Sequence, residues 1–197
     1  MISTKKGTTQ TYDQIAEIFF EKNKDRSQIE DNLNEFAKHC QANDLILDVG
    51  CGPGFDGDLL RSKGLRVMGL ELSAQMIKIG KKRFSTPIVQ ADMEALPFQQ
   101  KIDGLWVNAS LLHLERNAVP HTLGEFYHVL KPNGKLFISV KKGAGEQWET
   151  GDENAPRWFT YWADEQLGNV VTGAGFHILK IWSNHFWIKC CAVKKST

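Results

Sequence analysis

ILDVGCGPGF, at residues 46–55, is the stretch of sequence that decides the predicted fold. A run of apolar residues leads into Gly50, Gly52 and Gly54, which predicts a buried strand followed by a tight turn, because glycine tolerates backbone angles that other residues avoid. Such a turn lets a ligand lie against the backbone. The dinucleotide fingerprint G-x-G-x-x-G is not matched, since Phe55 stands where the third glycine would be. The loop therefore predicts a binding site for a ligand other than a dinucleotide.

Outward from this loop, short apolar runs alternate with helical patterns. The predicted strands are residues 45–49, 66–70, 88–90, 102–107 and 135–140, and the predicted helices between them are residues 56–63, 74–84 and 119–130. Strands that alternate with helices form βαβ units, which build a parallel sheet covered by helices. In such sheets ligands bind at the carboxyl ends of the strands.

The C-terminal part of the chain follows a different pattern. After a helix predicted at residues 164–172, two strand-like runs at 176–182 and 186–193 are joined by only three residues, which predicts an antiparallel hairpin. We therefore predict a single α/β domain, residues 1–197, built on a Rossmann-like doubly wound sheet. The sheet is expected to have seven strands, mostly parallel, with the antiparallel hairpin at its C-terminal end.

Three acidic residues follow three of the predicted strands. Asp48 lies at the end of the first strand, Glu71 follows the second and Asp92 follows the third. Because the carboxyl ends of parallel strands lie at one edge of a sheet, we expect these carboxylates to surround the glycine loop. Two like charges about 4 Å apart repel by about 4 kcal/mol at an effective dielectric near 20, which disfavours a pyrophosphate there. The acids instead favour a ligand that carries positive charge, and Glu71 is placed to bind the hydroxyls of a ribose.

Five ordered motifs lie between residues 45 and 140. They are DVGCGPG at 48–54, GLELS at 69–73, ADMEALPF at 91–98, NASLLH at 108–113 and VLKPNG at 129–134. This series resembles the class I methyltransferases that depend on S-adenosylmethionine (SAM), in particular the bacterial type that acts on small molecules. The resemblance implies SAM as the cofactor and transfer of its methyl group to an O, N, S or C nucleophile of a small molecule.

The resemblance also implies which residues bind SAM. The glycines of the loop would line the methionine part, Glu71 would hold the ribose hydroxyls, and Leu72 would lie against the adenine. Asp92 would bond the adenine amino group, the backbone of Met93 the adenine ring, and the backbone carbonyl of Asn108 the ammonium group. The full set of expected cofactor-binding residues is Tyr12, Asp48, Gly50, Gly52, Gly54, Glu71, Leu72, Asp92, Met93 and Asn108.

Tyr12 belongs to an N-terminal segment with its own predicted role. Residues 11–42 show two apolar stripes at helical spacing, so residues 1–43 are expected to form a helical cap. In similar enzymes a tyrosine of this segment closes over the sulfonium, and Tyr12 is the candidate for it. The alternative is an aromatic side chain that only packs within a helix.

His113 is the candidate general base, because it follows the fourth predicted strand near the expected mouth of the site. Methyl transfer from a sulfonium requires mainly alignment of the nucleophile and exclusion of water, so a base helps only if the acceptor must lose a proton. The alternatives for His113 are a contact with the acceptor and a structural hydrogen bond.

Residues 143–162 follow the fifth predicted strand and are rich in aromatic side chains. They are therefore expected at the carboxyl ends of the strands, where an acceptor would approach the cofactor. We expect residues 143–162 to form a mobile lid over the acceptor. Trp148, Arg157 and Trp162 are the candidates to face the acceptor together with His113, since aromatic rings and a guanidinium can hold a flat or carboxylated molecule. The alternative is a hairpin that packs on the core.

Composition and charge narrow the function classes. The formal net charge of +1 disfavours a nucleic-acid partner. No apolar stretch is long enough to span a membrane, and the N-terminal residues lack the apolar core of a signal peptide. We therefore expect a cytoplasmic monomer or homodimer with reduced cysteines, no metal site and a small-molecule acceptor.

Two alternatives to small-molecule methylation remain. One is an RNA or protein methyltransferase, although the motif N-P-P-Y, typical of DNA and protein amide methylation, is absent after the fourth strand. The other is a SAM-binding subunit without catalysis, whose expected mark would be a damaged glycine loop or lost acids. Both the loop and the acids are intact here.

Overall fold

Helices and strands alternate along the chain as predicted. The computed structural model describes residues 3–99, 101–151 and 154–195, so residues 152 and 153 of the predicted lid and the ends of the predicted domain lie outside the described residues. The helices are α1 (Thr4–Asn23), α2 (Glu30–Ala37), α3 (Phe55–Ser62), α4 (Ala74–Arg83), α5 (Val119–Val129) and α6 (Asp164–Gly173). The strands are β1 (Leu45–Val49), β2 (Arg66–Glu71), β3 (Ile88–Gln90), β4 (Ile102–Asn108), β5 (Leu130–Lys141), β6 (Glu146–Thr150), β7 (Pro156–Thr160), β8 (Phe176–Ser183) and β9 (Trp187–Lys194). None of the helices within the described ranges is long and apolar enough to cross a membrane.

Seven strands form the main sheet, in the order β3-β2-β1-β4-β5-β9-β8. The first five of these pair in parallel, whereas β9 pairs antiparallel with both β5 and β8. The predicted doubly wound sheet with its C-terminal hairpin is therefore confirmed. The chain runs from β1 towards β3 on one side and from β4 towards β5 on the other. This change of direction opens a crevice at the carboxyl ends of β1 and β4, where ligands bind in such sheets.

Neighbouring residues of the central strands point to opposite faces of the sheet. Leu47 lies in the core between the sheet and helices α5 and α6, whereas Ile46 packs towards α2 and α3. Cys190 and Cys191 divide between the same two cores, as the sequence predicts for adjacent strand residues. Apolar residues on both faces explain why the strand sequences show continuous apolar runs.

The bounds of most elements agree with the predictions to within one residue, and the larger differences have structural causes. Strand β5 begins at Leu130 rather than at residue 135, because Leu130 already pairs with Ile102 of β4. Helix α1 begins at Thr4, seven residues before the predicted start, with the Ser3 side chain accepting a hydrogen bond from Lys6 N. The first turns of α1 carry threonines and lysines rather than an apolar stripe, so the apolar pattern could not reveal them.

The predicted lid contains a two-stranded hairpin, β6 and β7, in which Trp148 pairs with Trp158. The hairpin packs on α1, where Thr11 Oγ1 donates to the Pro156 carbonyl at 2.6 Å and Thr8 Oγ1 accepts from Trp158 N at 3.0 Å. The segment thus forms a hairpin, as in the alternative that the sequence left open, although the sequence did not predict the bounds of its two strands. Its mobility stays a prediction.

Candidate functional site

The glycine loop follows β1 and lies at the crevice. Gly50 and Gly52 have φ angles of +68° and +55°, in the left-handed region that favours glycine. A Cβ on Gly50 would lie 2.4 Å from Cβ of Ser110, so no other residue fits without a shift of the neighbouring loop. The loop thus exposes bare backbone to the space above it.

A cavity of about 990 Å³, including the space at its open mouth, lies over this loop. Nine of the ten residues predicted to bind the cofactor line this cavity. These nine are Tyr12, Asp48, Gly50, Gly52, Glu71, Leu72, Asp92, Met93 and Asn108. His113, the candidate general base, lines it too. Gly54 is the exception: it begins α3 with a φ of +95° and lies outside the lining.

Asp48 is buried beneath the loop, with 3% of its surface exposed. Its Oδ2 atom has no hydrogen-bond partner among the described residues. Burial, together with the nearby charges of Asp56 and Glu71, raises the pKa of Asp48 well above its usual range, while Arg26 opposes this shift. A buried acceptor without a partner is costly, so this oxygen is suited to a donor or a cation from a ligand.

Glu71 lies at the end of β2 and braces the glycine loop. Its Oε2 accepts from Gly52 N at 2.9 Å, and its Oε1 accepts from Leu72 N and Ser73 N at 2.8 Å each. Burial raises the pKa of this carboxyl, and the three backbone donors oppose the shift. A carboxylate has about four acceptor positions, so about one remains for a ligand hydroxyl. The sequence suggested the ligand contact but gave no sign of the bracing role.

Helix α1 forms the roof of the cavity and supplies Lys5, Thr8, Thr9, Tyr12 and Phe19 to its lining. The Lys5 ammonium lies 2.6 Å from Asp92 Oδ2 and 3.0 Å from a Glu94 oxygen. At its other side, α1 is held by Asp13, whose carboxylate accepts from Ser73 Oγ at 2.6 Å and from Gln75 N at 3.0 Å. The helix is thus joined directly to residues that follow β2 and β3.

Tyr12 and His113 form a hydrogen-bonded pair inside the cavity. The Tyr12 hydroxyl lies 2.7 Å from His113 Nε2, and His113 Nδ1 lies 2.7 Å from the Trp158 carbonyl. A carbonyl can only accept, so Nδ1 carries the proton and Nε2 accepts from Tyr12. Burial lowers the pKa of His113 to about 4, with smaller contributions from Arg157 and Lys141. The imidazole is therefore neutral at pH 7 and fixes the Tyr12 hydroxyl.

A buried polar cluster lies below the other end of the cavity. Asp56, in the first turn of α3, accepts from Trp106 Nε1 and Asn108 Nδ2 at 2.9 Å each. Its other oxygen accepts from Arg26 Nε at 2.8 Å. Asn108 Oδ1 in turn accepts from Ser139 Oγ at 2.6 Å. These bonds connect the link between α1 and α2 to the ends of β4 and β5.

The structure does not bring Trp148, Arg157 and Trp162 into the cavity lining. Trp162 is 2% exposed and packs in the core, with the Arg116 guanidinium 4.5 Å from its ring centroid. Trp148 lies on the surface against α1, 43% exposed. The Arg157 guanidinium lies 5.6 Å from the centroid of the Tyr12 ring. Of the predicted acceptor residues, only His113 lines the cavity, because the hairpin turns its aromatic side chains towards α1 and the core.

The lining residues that sequence reasoning missed include Lys5, Phe19, Arg26 and Asp56. Asp56 had a usable signal, since it follows the glycine loop by two residues. Arg26 lies in the charged break between the two predicted helical stripes, where an exposed loop was the simpler interpretation. Nothing in the local pattern distinguished Lys5 from a surface residue. Phe19 belongs to an apolar stripe of the predicted helical segment, which indicated burial but no ligand contact.

Residues 47–138 match the model of a protein family described as a methyltransferase domain. The malonyl-[acyl-carrier protein] O-methyltransferase of Hamiltonella defensa subsp. Acyrthosiphon pisum (strain 5AT) is 31% identical over 134 residues, which is 64% of this chain and 51% of that protein. The mitochondrial arginine-hydroxylase NDUFAF5 of Mus musculus is 27% identical over 168 residues, which is 79% of this chain and 48% of that protein. The chain thus spans about half the length of these relatives.

Among solved structures, the fold is similar to that of the 1,6-didemethyltoxoflavin-N1-methyltransferase of Burkholderia thailandensis, crystallised with 1,6-didemethyltoxoflavin and S-adenosylhomocysteine. The TM-score is 0.78 at 17% identity, over 100% of this chain and 92% of that one. The similarity shows a shared fold. The stretch that matches the family model contains the glycine loop and the strand ends that surround the cavity. Residues 47–138 of the chain are therefore similar to a methyltransferase domain, on a fold shared with a methyltransferase of known structure.

Proposed function

We propose that this protein transfers the methyl group of SAM to an O, N, S or C nucleophile of a small molecule. The observation that carries the proposal is a pair of carboxylates, the buried Asp48 and the half-buried Glu71, that line the cavity together with bare loop backbone. One Asp48 oxygen has no partner among the described residues. A ligand with an ammonium, a sulfonium and a ribose matches this arrangement, whereas a phosphate does not.

The chain's own residues would bind the two ends of SAM. Glu71 has about one acceptor position left for a ribose hydroxyl, after three are used by the loop. At the adenine end, Asp92 is bonded by Lys5 and by Glu94 N, which leaves about two positions for the amino group. Leu72 and Met93 line the cavity between these acids and supply apolar surface for the adenine.

The roof of the cavity would align the acceptor and exclude water. SAM, when bound, supplies a methyl group activated by a sulfonium, so the protein has little covalent chemistry to perform. Tyr12 is fixed by the neutral His113, and its hydroxyl can contact an acceptor or the methyl group. His113 lines the cavity, but both of its ring nitrogens are already bonded, one to Tyr12 and the other to the Trp158 carbonyl. This favours a positioning role for His113 over the direct general base that the sequence suggested.

An assay for the release of S-adenosylhomocysteine tests the proposed activity. The protein is incubated with SAM and a panel of small acceptors, and both the coproduct and the gain of a methyl group are followed by mass spectrometry. Asp48→Asn keeps the shape of the side chain and removes its charge, so it should lower the rate by at least about tenfold. Absence of coproduct with every acceptor, from a protein shown to bind SAM, would favour the non-catalytic subunit instead.

The relative named as an arginine hydroxylase, which is 27% identical over 79% of this chain, supports hydroxylation as a second candidate function. The mass spectra separate the two reactions, because a product gains either a methyl group or a hydroxyl oxygen. Hydroxylation without release of S-adenosylhomocysteine would contradict the proposed methyl transfer.

A further inference from the structure

The turn between β8 and β9 displays a large aromatic side chain to solvent. We call residues 182–187, with the sequence WSNHFW, the hairpin tip. Phe186 is 68% exposed, more than any other large apolar side chain in the part of the chain that the structure describes. Because Ile188 pairs with Val140 near the end of β5, the hairpin tip lies at the carboxyl edge of the sheet. The cavity lies at the same edge.

Much of the backbone of the hairpin tip is bonded within the protein. Asn184 Oδ1 accepts from Phe186 N at 3.0 Å and from Trp187 N at 2.8 Å. Asn184 N donates to the Trp187 carbonyl, and Lys142 N donates to the Phe186 carbonyl, at 2.9 Å each. Backbone groups without partners are costly in an apolar medium, so these bonds suit the hairpin tip for contact with lipid. They also fix the backbone that carries the Phe186 ring.

Positive charge lies beside the hairpin tip. Glu35 is shared by Lys38 and Lys180, at 2.6 and 2.8 Å, so this carboxylate compensates only one of the two charges. Lys189 is half-buried and forms no ion pair with the described residues. It pairs across the strands with Trp182, at the base of the hairpin tip. The surface that continues from the exposed aromatic ring is therefore basic.

The charge pattern decides which partner fits this surface. Residues 176–195 contain four lysines and no acidic residue, so a second copy joined through the same hairpin would set like charges against each other. Addition of a strand from another protein is disfavoured by Lys180 and by the shifted register at residues 178–180 of the edge strand β8. An anionic lipid surface fits best, because lysines are attracted to its charge and aromatic side chains bind at its interface.

We propose that the hairpin tip binds the surface of an anionic lipid membrane, with Phe186 inserted at the interface and Lys180 and Lys189 beside the lipid phosphates. Binding is peripheral and reversible, since one exposed ring and a few lysines supply far less than a membrane-spanning helix. It brings the carboxyl edge of the sheet, and with it the cavity, to the membrane surface. The inference goes beyond the proposed methyl transfer and does not depend on it.

Sedimentation with lipid vesicles tests the inference. Vesicles of phosphatidylcholine alone are compared, at low salt, with vesicles of equal parts phosphatidylcholine and phosphatidylglycerol. The wild type should bind the mixed vesicles at least about tenfold more tightly, and added salt should weaken this binding. Phe186→Ser should bind them about fivefold or more weakly, because the burial of an apolar ring is lost. Ile18→Ser, which removes a side chain 51% exposed on α1, is the matched control and should bind like the wild type.

Lys189→Gln tests the charge separately. One lysine near an anionic surface is worth about a fivefold change in binding, so this variant should lose about that much affinity for the mixed vesicles. Lys63→Gln is its control, because Lys63 is an exposed lysine at the end of α3, bonded to Asn34 at the opposite edge of the sheet. Its loss should change binding by less than about twofold, since salt screens charges far from the membrane.

No binding of the wild type to the mixed vesicles, or unchanged binding of Phe186→Ser, would overturn the inference. Equal binding to the two kinds of vesicle would overturn it as well, since the lysines would then have no role. Sedimentation without lipid tests the other occupant: a dimer that Phe186→Ser abolishes would assign the hairpin tip to a second copy instead. None of these outcomes bears on the proposed methyl transfer.

Discussion

At the scale of single residues, the acids around the cavity have two roles. They stabilise the folded loops, and they are placed to bind a ligand. Glu71 accepts three backbone N–H groups of the loop and of the turn before α4. Its loss should therefore affect binding and stability together. A sequence can place a carboxylate at the end of a strand, but the amides that approach it depend on how the loop folds back.

Glu71→Ala is expected to weaken the binding of S-adenosylhomocysteine by about 1.5–3 kcal/mol, because a ribose hydroxyl and three amides lose a charged acceptor. Asp103→Ala is the matched control. Asp103 also accepts a backbone N–H, from Leu45, but it lies near the start of β4, at the opposite edge of the sheet. Calorimetry and thermal unfolding should show that both variants lose stability and that only Glu71→Ala loses affinity. Unchanged affinity in a folded Glu71→Ala protein would place the ribose elsewhere.

His113 should make the folded protein sensitive to acid. Burial lowers its pKa to about 4 in the folded state, whereas an exposed histidine in the unfolded chain has a pKa near 6.5. The unfolded state therefore binds the proton first, and stability falls as the pH drops from about 6.5 towards 4. Between pH 7 and pH 5 the wild type should lose about 2 kcal/mol more than His113→Gln, measured by denaturant unfolding. Equal losses in the two proteins would mean that folding does not lower the pKa of His113.

At the scale of elements, helix α1 and the β6–β7 hairpin form one roof over the cavity. Their contacts include two threonine hydrogen bonds, one to the Pro156 carbonyl and one from Trp158 N. A hydrogen-bonded chain from Tyr12 through His113 to the Trp158 carbonyl adds to them. The sequence predicted a helical cap and an aromatic segment, but not that each covers the other. Threonines at polar positions of a helix give no pattern from which a partner 145 or 150 residues away can be inferred.

Replacing both Thr8 and Thr11 by valine should loosen this roof. Each lost hydrogen bond is worth about 1 kcal/mol, so amide exchange in α1 should become faster by about tenfold or more. Affinity for S-adenosylhomocysteine should fall as well, since α1 supplies Lys5 and Tyr12 to the cavity. Thr172→Val, which removes bonds within α6 only, is the control and should change neither quantity. Unchanged exchange in α1 of the double variant would show that the roof is held by other contacts.

At the scale of the whole molecule, the parallel sheet and the position of its crevice could be predicted from the alternation of strands and helices around the glycine loop. The parts of the cavity lining that contain Lys5 and Arg26 could not be predicted in this way. Lys5 and Arg26 reach the site through ion pairs with Asp92 and Asp56, residues 87 and 30 positions away in sequence. Charged residues in polar stretches resemble solvated surface until the fold brings an acid to them.

Metal independence is a further prediction at this scale. Within the ranges that the structure describes, no group of three or more His, Cys, Asp or Glu side chains is arranged to hold a metal ion. We expect the proposed methyl transfer to continue in EDTA at the rate seen without it. Loss of turnover in EDTA and its recovery with magnesium would contradict the prediction.

Calorimetric titration of the wild-type protein with SAM and with S-adenosylhomocysteine tests the central claim most directly. We predict one binding site per chain for each ligand, with a dissociation constant in the micromolar range. S-adenosylhomocysteine should also raise the free energy of unfolding by about 2.7 kcal/mol at a concentration one hundred times its dissociation constant. No heat and no shift in thermal unfolding with either ligand at millimolar concentration would contradict the account.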